Sequence, residues 1–114
     1  MTPMARILIV EDDPLLAMAM EQSVEDLGHR VVGPTLNLHD GLAHARLDDL
    51  DFALLDFDLG RGADSIPIAD ELTRRGIPFV FTTCTDPATI RRSVPKAVVL
   101  GKPVGVADLA RAFG

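Results

Sequence analysis

The chain is short of cysteine and of two aromatic residues: one cysteine, no tyrosine and no tryptophan stand among its 114 residues. The lone thiol, Cys84, excludes an internal disulfide framework and fits a reducing compartment. Positive charge is also scarce. Eleven Lys and Arg face 17 Asp and Glu, giving a formal net charge of −6, so no nucleic-acid surface is indicated. No apolar run approaches the length of a membrane span, and the longest, between Pro78 and Cys84, is strand-sized. The first six residues run straight into an apolar segment and carry no signal-peptide pattern. No linker, repeat or low-complexity stretch is visible, so residues 1–114 are expected to form one domain, cytoplasmic and without a membrane partner.

What is present is a regular alternation of short apolar runs with longer amphipathic stretches. Residues 7–10, 30–33, 52–55, 78–82 and 97–100 read as five strands. After the first, Asp13 suits an N-cap and Pro14 a first helical position, with Leu16, Met20, Val24 and Leu27 recurring at helical spacing until Gly28. Further helices are expected over about 38–47, from the Ser65 loop to Arg75, over about 87–93, and along Val106, Leu109, Ala110 and Phe113. Five βα units with solid apolar strands imply a parallel sheet covered on both faces. Right-handed crossovers make a doubly wound α/β fold the natural topology.

In such a sheet, ligands bind beyond the carboxyl ends of the strands. The first strand ends in Glu11-Asp12-Asp13, the third in Asp56-Phe57-Asp58, the fourth in Thr82-Thr83-Cys84 and the fifth before Lys102-Pro103. Several carboxylates, a hydroxyl and one ammonium therefore gather on one edge. Crowded carboxylates retain protons unless a cation joins them. Mg²⁺, with one or two carboxylates, waters and phosphate oxygens, resolves that crowding. Lys102 adds positive charge for an anion and Thr83 a hydrogen-bond donor, a set suited to phosphoryl transfer.

The strings ILIVEDDP, LLDFDLG, FVFTT and VVLGKPV, in that order at strand ends, resemble the receiver domains of two-component response regulators, from about Arg6 to Phe113. The resemblance implies a flavodoxin-like (βα)5 sheet of strand order 2-1-3-4-5. It implies that Asp56 accepts the phosphoryl group, that Thr83 senses it and that Lys102 is the family's lysine. Glu11 and Asp12 would hold Mg²⁺ with Asp56, and Asp58 would offer its backbone carbonyl. The Lys102–Pro103 peptide would be cis. Implied partners are a histidine kinase or phosphotransfer protein and a downstream protein target. The chain would not itself be an enzyme beyond slow autodephosphorylation. Residues 14–20 and 103–106 are the expected kinase-docking surface. The stretch Phe81-Thr82-Thr83-Cys84-Thr85-Asp86 also matches, in part, the Phe-Ala-Thr-Gly-hydrophobic-Tyr signature of mostly stand-alone alphaproteobacterial receivers.

Three departures from the family pattern bear on output. Val99 stands where most receivers place a rotating Tyr or Phe, 19 positions separate Thr83 from Lys102, and Gly60 replaces a common proline. The expectation is a short fourth helix and a switch that reorders residues 84–95. Two other readings stay open on sequence: an Mg²⁺-dependent phosphatase using Asp56-x-Asp58, and a pseudo-receiver that only binds protein. Asp58 and Thr85 could tune the lifetime of a phospho-form. His29, His39 and His44 lack metal-ligand spacing, and Thr82 is expected to face away from Thr83. The chain either works alone or is one domain of a longer protein.

Overall fold

The structure, a computed structural model, describes residues 4–114. Five strands and five helices alternate: β1 (Arg6–Val10), α1 (Pro14–Asp26), β2 (Arg30–Thr35), α2 (Leu38–Leu47), β3 (Phe52–Asp56), α3 (Ile66–Arg74), β4 (Phe79–Thr83), α4 (Pro87–Ser93), β5 (Val99–Gly101) and α5 (Val106–Phe113). The strands pair in parallel in the order β2-β1-β3-β4-β5. This is a doubly wound sheet, as the alternation of elements favours, in the flavodoxin-like order that the resemblance implied.

Successive side chains of a strand point to opposite faces, so each central strand feeds two cores. Ile7, Ile9, Leu54 and Val80 pack with Met20 and Val24 of α1 and Leu109 of α5. Leu8, Val10, Ala53, Leu55 and Phe81 pack with Ala45 of α2, Ile68 and Leu72 of α3, and Ile90 of α4. Each fully buried Leu, Ile or Phe contributes about 1.5–3 kcal/mol, so both faces are held by apolar burial. On the second face α2 lies close to the sheet. A Cβ at Gly41 would stand 2.7 Å from Ile68 Cδ1 and 3.1 Å from Val10 Cγ2, which explains a glycine inside a helix.

The strand ends differ from the sequence expectation in ways that matter. β2 continues beyond Gly33 to Thr35 through a register shift opposite Leu8 and Val10. Gly33 has φ +92°, and a Cβ there would meet the Thr35 amide nitrogen at 2.8 Å. The extension lets the Glu11 amide donate to the Thr35 carbonyl at 3.0 Å, fixing the chain where β1 ends. β4 and β5 are each displaced toward the C-terminus. Pro78 has no amide to donate but accepts from Ala53, and Ala97 is taken by a turn onto Val94 that closes α4. α4 itself has seven residues and buries only Ile90.

Candidate functional site

Asp13 caps α1 as its sequence suggested, its carboxylate accepting from the Leu15 and Leu16 amides at 2.9 and 3.4 Å. That cap bends the chain so that Glu11 turns inward and Asp12 outward; Glu11 is fully buried, Asp12 exposed. Glu11 Oε2 accepts from the Asp13 amide at 3.2 Å. Its other oxygen, Oε1, has no aligned hydrogen-bond donor but lies 2.7 Å from Lys102 Nζ. The same ammonium stands 3.0 Å from Asp56 Oδ1 at the end of β3. One cation therefore serves two buried carboxylates. Glu11, Asp12 and Asp56 also bring one carboxylate oxygen each within 4.8 Å of one another, the one such group of acidic, His or Cys side chains among the described residues.

The electrostatics follow from that shortage of positive charge. Burial first, then hydrogen bonding to the Glu11 and Asp12 carboxyls, raises the Asp56 pKa to about 8, against the pull of Lys102. Burial alone would depress the Lys102 ammonium, but its close pairing with the Glu11 and Asp56 carboxylates outweighs that and holds its pKa above the ordinary lysine range. The donor set is all oxygen and hard, with three carboxylates to one ammonium. It suits a hard divalent cation such as Mg²⁺ better than a thiophilic metal.

On the other side of Asp56 a cavity of about 380 Å³ is bounded by Asp58, Gly62, Asp64, Thr83, Thr85 and Thr89. Thr83 is buried, and its carbonyl accepts from the Lys102 amide at 2.8 Å, tying β4 to β5 at the site. The Lys102–Pro103 peptide is cis, as expected. Thr82 is buried beside Asp56 in register, and strand alternation turns it to the face opposite Thr83. Asp58 stands apart from the carboxylate group. It is exposed, and its side chain accepts from the Gly60 amide at 2.9 Å, shaping a loop in which Gly60, Arg61 and Gly62 all have positive φ. A Cβ at Gly60 would come within 3.4 Å of Asp12 Oδ2, so this loop runs beside the acidic cluster. Val99 packs with the core on the α2–α3 face, opposite Phe81 in register. Cys84 is exposed at the rim.

Two contacts were not foreseen from sequence. One is the anchoring of Glu11 by the β2 extension, where Gly33-Pro34-Thr35 reads as the end of a strand rather than its continuation. The other joins Thr83 Oγ1 to Thr85 Oγ1 at 2.9 Å and to the Thr85 amide at 3.1 Å. Spacing of two at a strand end hints at such a turn, but nothing marks it as formed.

No protein-family model matches the chain. Among solved structures, the signal receiver domain of a modulated diguanylate cyclase from Desulfovibrio desulfuricans is 30% identical, with a TM-score of 0.82 over 97% of this chain and 91% of that one. The chain belongs to the response regulator receiver domains. This receiver is also 36% identical to SdrG from Sphingomonas melonis, covering 99% of its own length and 96% of SdrG with a TM-score of 0.79. A curated relative, the phyllosphere-induced regulator PhyR of Methylorubrum extorquens, is 29% identical over 107 residues. That match spans 91% of the receiver but only 40% of PhyR. Among the described residues no helix of the receiver is long and apolar enough to cross a membrane.

Proposed function

We propose that this receiver, acting as one unit over residues 1–114, takes a phosphoryl group on Asp56 from a histidine kinase or phosphotransfer protein and signals to a protein target. The observation that carries the reading is the convergence of the Glu11, Asp12 and Asp56 carboxylates at the carboxyl edge of the sheet, with Lys102 paired to Glu11 and Asp56. Asp56 must be ionised to attack phosphorus, yet its surroundings hold its proton up to about pH 8. A bound Mg²⁺, held by Asp12 and Asp56 with Glu11 behind them and the Asp58 carbonyl as a further oxygen, would supply the missing positive charge.

The chain's own residues account for the rest. A carboxylate oxygen of Asp56 forms the new P–O bond as the bond from phosphorus to the donor's leaving group breaks, the leaving group keeping the electron pair. Lys102, pinned between Glu11 and Asp56, neutralises a phosphoryl oxygen without having to move far. Thr83 offers a hydroxyl from the neighbouring strand. SdrG has been solved in a BeF3-activated conformation, which supports the same chemistry here, and the partial signature at residues 81–86 fits the subgroup proposed from sequence. The protein would act in the cytoplasm as a signalling domain and turn over no substrate beyond slow loss of its own phosphoryl group. Its partner-facing role would follow by analogy with PhyR of Bartonella quintana, an anti-anti-sigma factor.

Intact-mass measurement after incubation with acetyl phosphate or phosphoramidate tests the reading. One added phosphoryl group per chain is expected with Mg²⁺ and none with a chelator. Catalytic release of phosphate from small phosphomonoesters, without a stoichiometric adduct, would defeat it.

For output, Val99 has no ring to rotate, and residues 84–95 are thinly anchored, with Ile90 the one buried side chain of α4. Such a segment opens at little cost. Amide exchange across residues 84–95 is expected to change on adding beryllofluoride and Mg²⁺, while that of β1 and β3 stays fixed. Exchange unaltered in the α4 segment would remove it as the switch.

A further inference from the structure

We propose that Thr85 is a positioning residue that restrains the Thr83 hydroxyl in the phosphoryl-free state, so that phosphorylation must compete with a contact inside the β4–α4 turn. The inference rests on the reading just given.

The Thr83 backbone is not free to adjust, because its carbonyl holds the Lys102 amide and its strand lies against β3. The remaining freedom is rotation of its side chain. That rotation is already engaged: Thr83 Oγ1 accepts from the Thr85 amide and pairs with the Thr85 hydroxyl. Neither partner belongs to the acidic cluster. Thr83 nevertheless borders the same cavity as Asp56, from the adjacent strand. A hydroxyl that reaches an oxygen of a phosphoryl group on Asp56 by turning about its Cα–Cβ bond gives up both bonds to Thr85. Thr85 is exposed, so its own hydroxyl exchanges to water once released. The contact therefore weights the equilibrium toward the unphosphorylated form by about one net hydrogen bond.

Valine matches threonine in shape and removes only the hydroxyl, so Thr85→Val loosens the restraint while the turn keeps its amide. Fluorine NMR titration with beryllofluoride in Mg²⁺ is the readout, run on wild type, Thr85→Val, Thr85→Ser and Thr83→Val, and on the double variant. Thr85→Val is expected to bind about three- to tenfold more tightly than wild type, the span of one net hydrogen bond. Thr85→Ser retains wild-type affinity. In a Thr83→Val background the Thr85 substitution has no further effect, since the restraint has nothing left to hold. Unchanged or weaker binding by Thr85→Val, with wild type binding normally, overturns the restraint and leaves the receiver reading intact. A gain that persists without the Thr83 hydroxyl overturns it too. Wild type that fails to bind beryllofluoride overturns the reading of Asp56 itself.

Discussion

Asp56→Asn is expected to abolish phosphoryl uptake and, in the same molecule, to stabilise the metal-free fold above about pH 8 by several kcal/mol. The folded-state pKa of Asp56 is raised to about 8 from an ordinary value of 3.8. A group shifted upward lends stability that is whole below its unfolded pKa and is lost as pH rises through the folded one. Asparagine resembles the protonated acid at every pH. The two proteins should therefore differ little in stability near pH 4, diverge across the interval to about 8, and differ most above it. Urea unfolding at a series of pH values, with chelator present, measures that divergence. Adding Mg²⁺ should stabilise wild type and do much less for the variant, which has lost a ligand. A stability difference that is flat with pH would show that Asp56 ionises without penalty, and the electrostatic basis of the site would go with it.

Removing the ammonium should act in the opposite direction. Lys102→Met keeps the length of the side chain but leaves Glu11 and Asp56 facing each other with no counter-charge. Deleting one partner of a buried ion pair costs about 3–5 kcal/mol, so a loss of about 3 kcal/mol is expected at pH 8 in the absence of metal. The native Lys102 pKa is raised, so its contribution is present below the ordinary lysine pKa and fades only above it. In the variant a second remedy exists: Asp56 takes up a proton in place of the lost cation. Because wild-type Asp56 already holds its proton up to about pH 8 and the variant holds it higher still, the cost should grow as pH rises from about 8 to about 10 and level off below. Chemical denaturation at about pH 7 and about pH 9.5 checks this, and an equal cost at each would mean that Lys102 acts by packing alone. Phosphoryl uptake by the variant should be slowed by at least about 100-fold, the scale at which single electrostatic donors act in such sites.

Much of this arrangement could be read before any coordinates. Strands buried on both faces announce themselves as unbroken apolar runs, and Asp13-Pro14 or Gly28 punctuate the helix between them, so the doubly wound topology followed from local signals, while the strand order came with the resemblance to receiver domains. The strand-end residues Asp56, Thr83 and Lys102 were legible because in a parallel sheet the chain itself carries each strand's last residues to one edge. What was not legible depended on contacts between distant residues. Nothing in Gly33-Pro34-Thr35 says that β2 runs on to brace Glu11, since that bond is made to a residue 24 positions earlier. The displacement of β5 from residues 97–100 to Val99–Gly101 has the same origin: Ala97 and Val98 look like strand, but a turn from α4 claims Ala97 first. The division of labour between Glu11, tied to Lys102, and the outward Asp12 likewise depends on how the Asp13 cap bends the chain.

The two cores of the sheet give the site an asymmetry. Lys102 and Glu11 border a small hollow with Leu16, Ala19 and Met20 of α1, whereas Thr83 opens toward Thr89 of α4 and the loop before α3. Charge arriving on Asp56 would thus be felt by two layers through different chemistry, as an ion-pair rearrangement beneath the first helix and as a hydroxyl's change of partner beneath the fourth. A domain wired in this way has separate handles for how readily it is loaded and for what it then does, and substitutions confined to one layer should alter one property while sparing the other.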